Sequence, residues 1–191
     1  MRFSTLVIAT VLSAVGLLSG CGAGNTQNGG TTMSIEVTSR AFDHGEPIPR
    51  KYTEDGADVS PPLKFDGVPE GTKELALICD DPDAPTDEPW VHWLLYKIPA
   101  SVTSLPEGLP NKPRLKDPPG ALQGKNSWKI GTQIGYRGPA PPRGGPHRYF
   151  FKVYALKVKL VVEAGVSKNV LMQEISDHIL AEGELMGTYE R

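Results

Sequence analysis

Asp80-Asp81-Pro82-Asp83-Ala84-Pro85 places three carboxylates within four residues, directly after the apolar run Leu75–Cys79. The two prolines restrict the backbone around them. His92 follows nine residues after Asp83, and much later come Gly138-Pro139-Ala140-Pro141-Pro142 and His147-Arg148-Tyr149. Two imidazoles, a phenol and several carboxylates can bind an anion, ligate a divalent metal through Asp81, Asp83, His92 and His147, or move protons. The hydrolytic reading lacks a Gly-x-Ser-x-Gly elbow, a His-Glu-x-x-His pair and a phosphate loop. Taken alone, Asp-Pro runs serve as turns and caps, and a lone strand histidine packs in a core.

These residues need strands to hold them. Ile35 and Val37 alternate with polar neighbours, as a first strand does. Glu74–Cys79 is apolar on both faces and reads as a covered central strand. Val91–Ile98 reads as the next strand. Strict alternation puts His92, Leu94, Tyr96 and Ile98 on one face, and Val91, Trp93, Leu95 and Lys97 on the other. Along the strand from Arg148 to Leu156, extended back by one residue, His147, Tyr149, Phe151, Val153 and Ala155 share a face. Between Pro106 and Pro146, 17 of 41 residues are Gly or Pro, which marks a long irregular segment rather than sheet core. One helix is expected, from Val166, Val170, Leu171, Ile175 and Ile179 at helical spacing, with Ser167 as its cap and Gly183 as its stop. The pattern is mainly β: an antiparallel β-sandwich with a C-terminal helix on one side and short peripheral helices.

The N-terminus reads as an address. After Arg2, Leu6–Leu18 runs 13 residues without a charge, too short to span a bilayer. It ends in Leu18-Ser19-Gly20-Cys21, which resembles the lipobox of bacterial lipoproteins. The expected organisation is a signal peptide (1–20), a flexible tether acylated at Cys21 (21–32) and one folded domain (33–191). Loss of Arg2 leaves 19 basic against 22 acidic residues, a net charge of -3. That balance excludes nucleic-acid binding led by phosphate neutralisation. With Cys21 acylated, Cys79 is the only thiol, and its apolar surroundings mark it as a core residue. His44 and His178 read as bystanders. Trp90 reads equally as pocket lining or core cover, and Tyr189 equally as pocket neighbour or terminal strand residue.

Across Met33–Arg191 the chain resembles the phosphatidylethanolamine-binding proteins, in their bacterial and archaeal Raf-kinase-inhibitor-like branch. The resemblance rests on Ser60-Pro61-Pro62-Leu63, Asp80-Asp81-Pro82-Asp83-Ala84-Pro85, Trp90-Val91-His92-Trp93, Asn126-Ser127-Trp128, Gly135-Tyr136-Arg137-Gly138-Pro139, His147-Arg148-Tyr149-Phe150-Phe151 and Leu185-Met186-Gly187-Thr188-Tyr189. It implies a β-sandwich with a small pocket for phosphate, acetate or a phosphoryl headgroup. Carried onto this chain, the pocket residues are Asp81, Asp83, His92, Gly138, Pro139, His147 and Tyr149. On that basis a histidine proton, the tyrosine hydroxyl and the Gly138 N–H would donate to the ligand. Asp81 would hold an imidazole, face a headgroup amine, or donate as a neutral acid, and the sequence leaves these three open. The resemblance also implies a cis peptide in the loop 83–90, at Ala84–Pro85 before Glu88–Pro89. The expected function is a lipid-anchored binding protein for a small anionic or phosphoryl ligand, not an enzyme, with no cofactor and no resident metal. A protease inhibitor or other protein-interaction regulator is the alternative. The expected partners are that ligand and the membrane through the anchor. A protein partner and a homodimer stay open. The expected place is the cell envelope, outside the cytoplasmic membrane.

Overall fold

A strand that is apolar on both faces must be covered on both. Glu74–Asp81 (β4), buried at every position, is the axis of the molecule. The computed structural model describes residues 33–131 and 133–191; the expected signal peptide, Cys21 and the expected tether lie outside them. Before β4 come β1 (Met33–Ser34), β2 (Glu36–Thr38) and β3 (Leu63–Asp66). After it come β5 (Trp90–Pro99), β6 (Ser104–Leu105), β7 (Leu122–Gln123), β8 (His147–Leu156), the helix α1 (Lys168–Ile175) and β9 (Ile179–Tyr189). The larger sheet runs β1-β9-β8-β4-β5-β7 and the smaller β2-β3-β6. All neighbours are antiparallel except the edge pair β1–β9. The fold is the expected mainly-β sandwich with one C-terminal helix.

The two faces of β4 serve two cores. Leu75, Leu77 and Cys79 join Tyr149, Phe151, Val153 and Ala155 of β8 against Val37, Phe65 and Leu105 of the small sheet. Ala76 and Ile78 face the other way and pack with Leu171 and Ile175 of α1. Cys79 is fully enclosed, and burial first, with Asp80 and Asp81 beside it, pushes its thiol pKa up, so it stays an inert core residue. On the helix side, Asp80 is sealed between Lys152 and Lys168, which ties the start of α1 to the sheet.

The helix is shorter than its apolar spacing suggested. Ser167 caps it as expected, accepting a hydrogen bond from the Val170 N–H. It ends at Ile175, a single 3-10 turn (Ser176–His178) follows, and Ile179 already belongs to β9. Gly183 is therefore no helix stop. It lies mid-strand opposite Val153, where a Cβ would meet the Ile35 carbonyl oxygen at 1.8 Å. Only glycine admits the β1–β2 backbone so closely.

The Gly/Pro-rich segment supplies one sheet element after all, the short edge strand β7. Elsewhere it is held by buried side chains that replace ladder bonds. Gln123 accepts from the Trp93 indole at 2.7 Å and donates to the Pro110 and Lys112 carbonyls. Tyr136 donates to the Tyr52 carbonyl at 2.6 Å.

Candidate functional site

Strict alternation would turn His92 toward the helix, away from Tyr149. Two irregularities in β5 prevent this. Cys79 pairs with Trp93 but Asp80 pairs with Val91, so β5 carries one extra residue at His92. A second extra residue lies between the pairs Leu75–Ile98 and Leu77–Leu95, next to Lys97, whose φ is +55°. Leu94 and Tyr96 therefore pack on the helix side with Val91, while Trp93, Leu95 and Ile98 pack between the sheets. The expected grouping of His92 with Leu94, Tyr96 and Ile98 is corrected accordingly. Its cause is the bulge, which re-aims a side chain without breaking the strand. His92 now packs edge-on against Tyr149 with ring centroids 5.0 Å apart.

The loop from β4 to β5 is built without a cis proline. Among the described residues the cis peptide is Asp117–Pro118, and neither Ala84–Pro85 nor Glu88–Pro89 is cis. Hydrogen bonds make the turn instead. The Asp83 N–H donates to Asp81 Oδ1 at 2.8 Å, the Thr86 N–H to the Ala84 carbonyl, and the Thr86 hydroxyl to the Glu88 carbonyl. The Asp83 side chain clamps the loop to β8. It accepts from the Arg148 backbone N–H and from Nε and Nη2 of its guanidinium, at 2.7–2.9 Å. Arg148 holds the Asp83 pKa down to about 2. Asp83 lies outside the cavity lining, so its expected ligand contact becomes a positioning role.

A cavity of about 230 Å³ opens where this loop, the β5 bulge and the start of β8 meet. Asp81, His92, His147 and Tyr149 line it together, with Trp90 and Trp128 on one side and Pro141–Pro142 on another. His147 Nδ1–H donates to Asp81 Oδ2 at 2.7 Å. Both oxygens of Asp81 thus accept from the protein, which fits the imidazole-holding role of the three left open. His92 Nδ1–H donates to the Arg137 carbonyl at 2.7 Å, and burial lowers the His92 pKa to about 4. At neutral pH His92 is uncharged, and its free Nε2 is an acceptor. The expected histidine proton for the ligand therefore does not come from a charged His92, because desolvation outweighs the nearby carboxylates. The Tyr149 hydroxyl is buried and has no hydrogen-bond partner among the described residues. Burial first, then Asp81, raises its pKa, so it keeps its proton.

Gly138 and Pro139 take a different part from the one expected. The Gly138 N–H donates to Asp58 Oδ1 at 2.7 Å and is not offered to a ligand. A Cβ at Gly138 would stand 2.3 Å from the Tyr52 carbonyl, so the glycine lets this loop close against the 50–58 segment. Pro139 accepts from the Glu54 N–H. Both shape the wall from behind. Sequence reasoning missed Glu54, which lines the cavity while paired with Arg137. No periodicity marks it, since it sits in a turn. Trp90 is resolved as lining, whereas Tyr189 binds Asp55 outside the cavity. Among the described residues, no three His, Cys, Asp or Glu side chains converge as metal ligands.

A family model described as phosphatidylethanolamine-binding protein matches residues 38–190. The chain belongs to this family. A UPF0098 protein of Methanothermobacter thermautotrophicus is 47% identical over 157 residues, 82% of this chain and 99% of the relative. One from Pyrococcus abyssi is 40% identical over 192 residues, 100% of this chain and 99% of the relative. Among solved structures, a homologue of phosphatidylethanolamine-binding proteins from Chlamydia trachomatis has a TM-score of 0.73 at 42% identity, covering 84% of this chain and 99% of its own. An Escherichia coli member of the family has a TM-score of 0.76 at 36% identity, covering 83% of this chain and 99% of its own. For this phosphatidylethanolamine-binding protein family member, the site residues sit on β4, β5, β8 and the loops that join them.

Proposed function

We propose that the protein is a lipid-anchored binding protein whose cavity holds one small anionic or phosphoryl group, such as phosphate or a phospholipid headgroup. The observation that carries this reading is the Tyr149 hydroxyl, buried in the cavity without a partner among the described residues. A buried donor left unpaired costs about 1–3 kcal/mol, a cost that a ligand oxygen removes. Beside it, Asp81 fixes the His147 ring and leaves Nε2 for the ligand. His92 offers a lone pair, which suits a ligand that carries a proton of its own, such as hydrogen phosphate or an ammonium headgroup. The protein's part is recognition rather than catalysis.

The N-terminal pattern supports attachment through Cys21, on the outer side of the cytoplasmic membrane. Residues 21–32, fully extended, span at most roughly 40 Å, which keeps the domain near the headgroup layer. Co-crystals grown with O-phosphoethanolamine test the reading. The expected result is a phosphoryl oxygen within hydrogen-bond distance of Tyr149 Oη. A ligand seated elsewhere, with the hydroxyl still unpaired, would overturn it.

A further inference from the structure

Across the wall formed by Pro141 and Pro142 lies a second concavity, of about 520 Å³. Its charged lining is Arg50, Asp55, Arg143 and Arg191. These groups are not equivalent. Arg191 grips Asp55 with two bonds, Nε–H to Oδ2 and Nη2–H to Oδ1, each 2.8 Å. Tyr189 donates its hydroxyl to the same Oδ2 at 2.9 Å. Arg191 also stands 3.6 Å from Glu54, which is paired with Arg137. Within the concavity, Arg191 and Asp55 therefore neutralise each other.

Arg50 and Arg143 are held less closely. Arg50 adds only a weak through-space pull on Asp55, and among the described residues neither guanidinium makes an ion pair or a hydrogen bond. Three arginines against one aspartate leave the lining with two uncompensated positive charges. Two guanidiniums on one concave surface repel each other, and an oxyanion between them replaces that repulsion with charge-assisted bonds. A phosphate monoester carries about -1.5 to -2 at neutral pH, which matches the excess. We propose that this concavity is a second anion site, for a phosphoryl group, that works beside the cavity and independently of it.

The test is a titration of the full chain with inorganic phosphate, followed by amide NMR. Amides around Arg50 and from Arg143 to Gly145 are expected to shift and saturate separately from those of His147 and Tyr149. The double substitution Arg50→Ala/Arg143→Ala is expected to weaken the first set at least tenfold, since it removes both charge-assisted donors, and to leave the second set unchanged. Arg50→Lys/Arg143→Lys keeps the charge and is expected to retain part of the response, and it serves should the alanine variant fold poorly. No shift near Arg50 and Arg143, or the same shift in either double variant as in the wild type, would overturn the proposal. An equal response to acetate would overturn the phosphoryl assignment. Loss of the His147 and Tyr149 response alone would count against the cavity and leave this site standing.

Discussion

Tyr149 and His92 touch, yet they contribute opposite things to the site. Tyr149 brings a donor that has no partner among the described residues, so its hydroxyl adds little to folding. Tyr149→Phe is accordingly expected to leave stability within about 1 kcal/mol of the wild type, or to raise it slightly, as urea unfolding would register. His92 brings a ring that folding keeps neutral. Its folded pKa is about 4, against an ordinary value of about 6.5. Between these values the unfolded chain binds the extra proton and the native one does not. Stability is thus full above about pH 6.5 and is lost as pH falls toward 4, by an amount on the order of a few kcal/mol. Urea midpoints at pH 7, 5.5 and 4.5 should fall in sequence, and His92→Phe should flatten that fall. Asp83 acts in a separate, lower window. Its pKa is depressed by Arg148, so its contribution is present above its ordinary value and fades only as pH drops toward 2.

At the scale of elements, the strands that hold the site differ in how openly the chain announces them. The β8 face carrying His147, Tyr149 and Phe151 follows strict alternation, and period 2 suffices to read it. The β5 face does not, because bulges leave no mark in a single sequence: His92 reaches the cavity only through an extra residue that a periodicity count treats as a change of side. The loop after β4 was readable as a turn from its Asp and Pro content. Its mechanism was not, since Asx-type hydrogen bonds and the Arg148 clamp replace the cis proline that the resemblance implied. Gly138 was legible as a special position, but its reason is close packing against Tyr52, a contact 86 residues apart in the chain. Gly183 teaches the same lesson. Near the end of an amphipathic run a glycine reads as a helix stop, yet here it admits a neighbouring strand. Gly183→Ala is expected to cost about 3 kcal/mol or more, as a backbone clash that neither strand can relieve. Thermal unfolding of this variant, with amide exchange at Ile35, would check both the magnitude and the place.

For the whole molecule, the proposed anchor at Cys21 predicts a fractionation result. In its own host the protein should sediment with membranes, and intact mass should show diacylglycerol on a chain beginning at Cys21. Cys21→Ser should release it into the soluble fraction. A soluble wild-type chain cut at another bond would remove the anchor from the account and leave the cavity untouched. That the cavity binds a small anion through Tyr149 is checked by calorimetric titration of inorganic phosphate, at pH 7, into two chains that differ only in carrying Tyr149 or Tyr149→Phe. To keep the arginine-lined concavity silent, both chains carry Arg50→Ala/Arg143→Ala. The chain that retains Tyr149 is expected to bind saturably, and loss of the hydroxyl to weaken binding about tenfold. Equal affinity in the two chains, or no binding in either, would contradict binding through Tyr149.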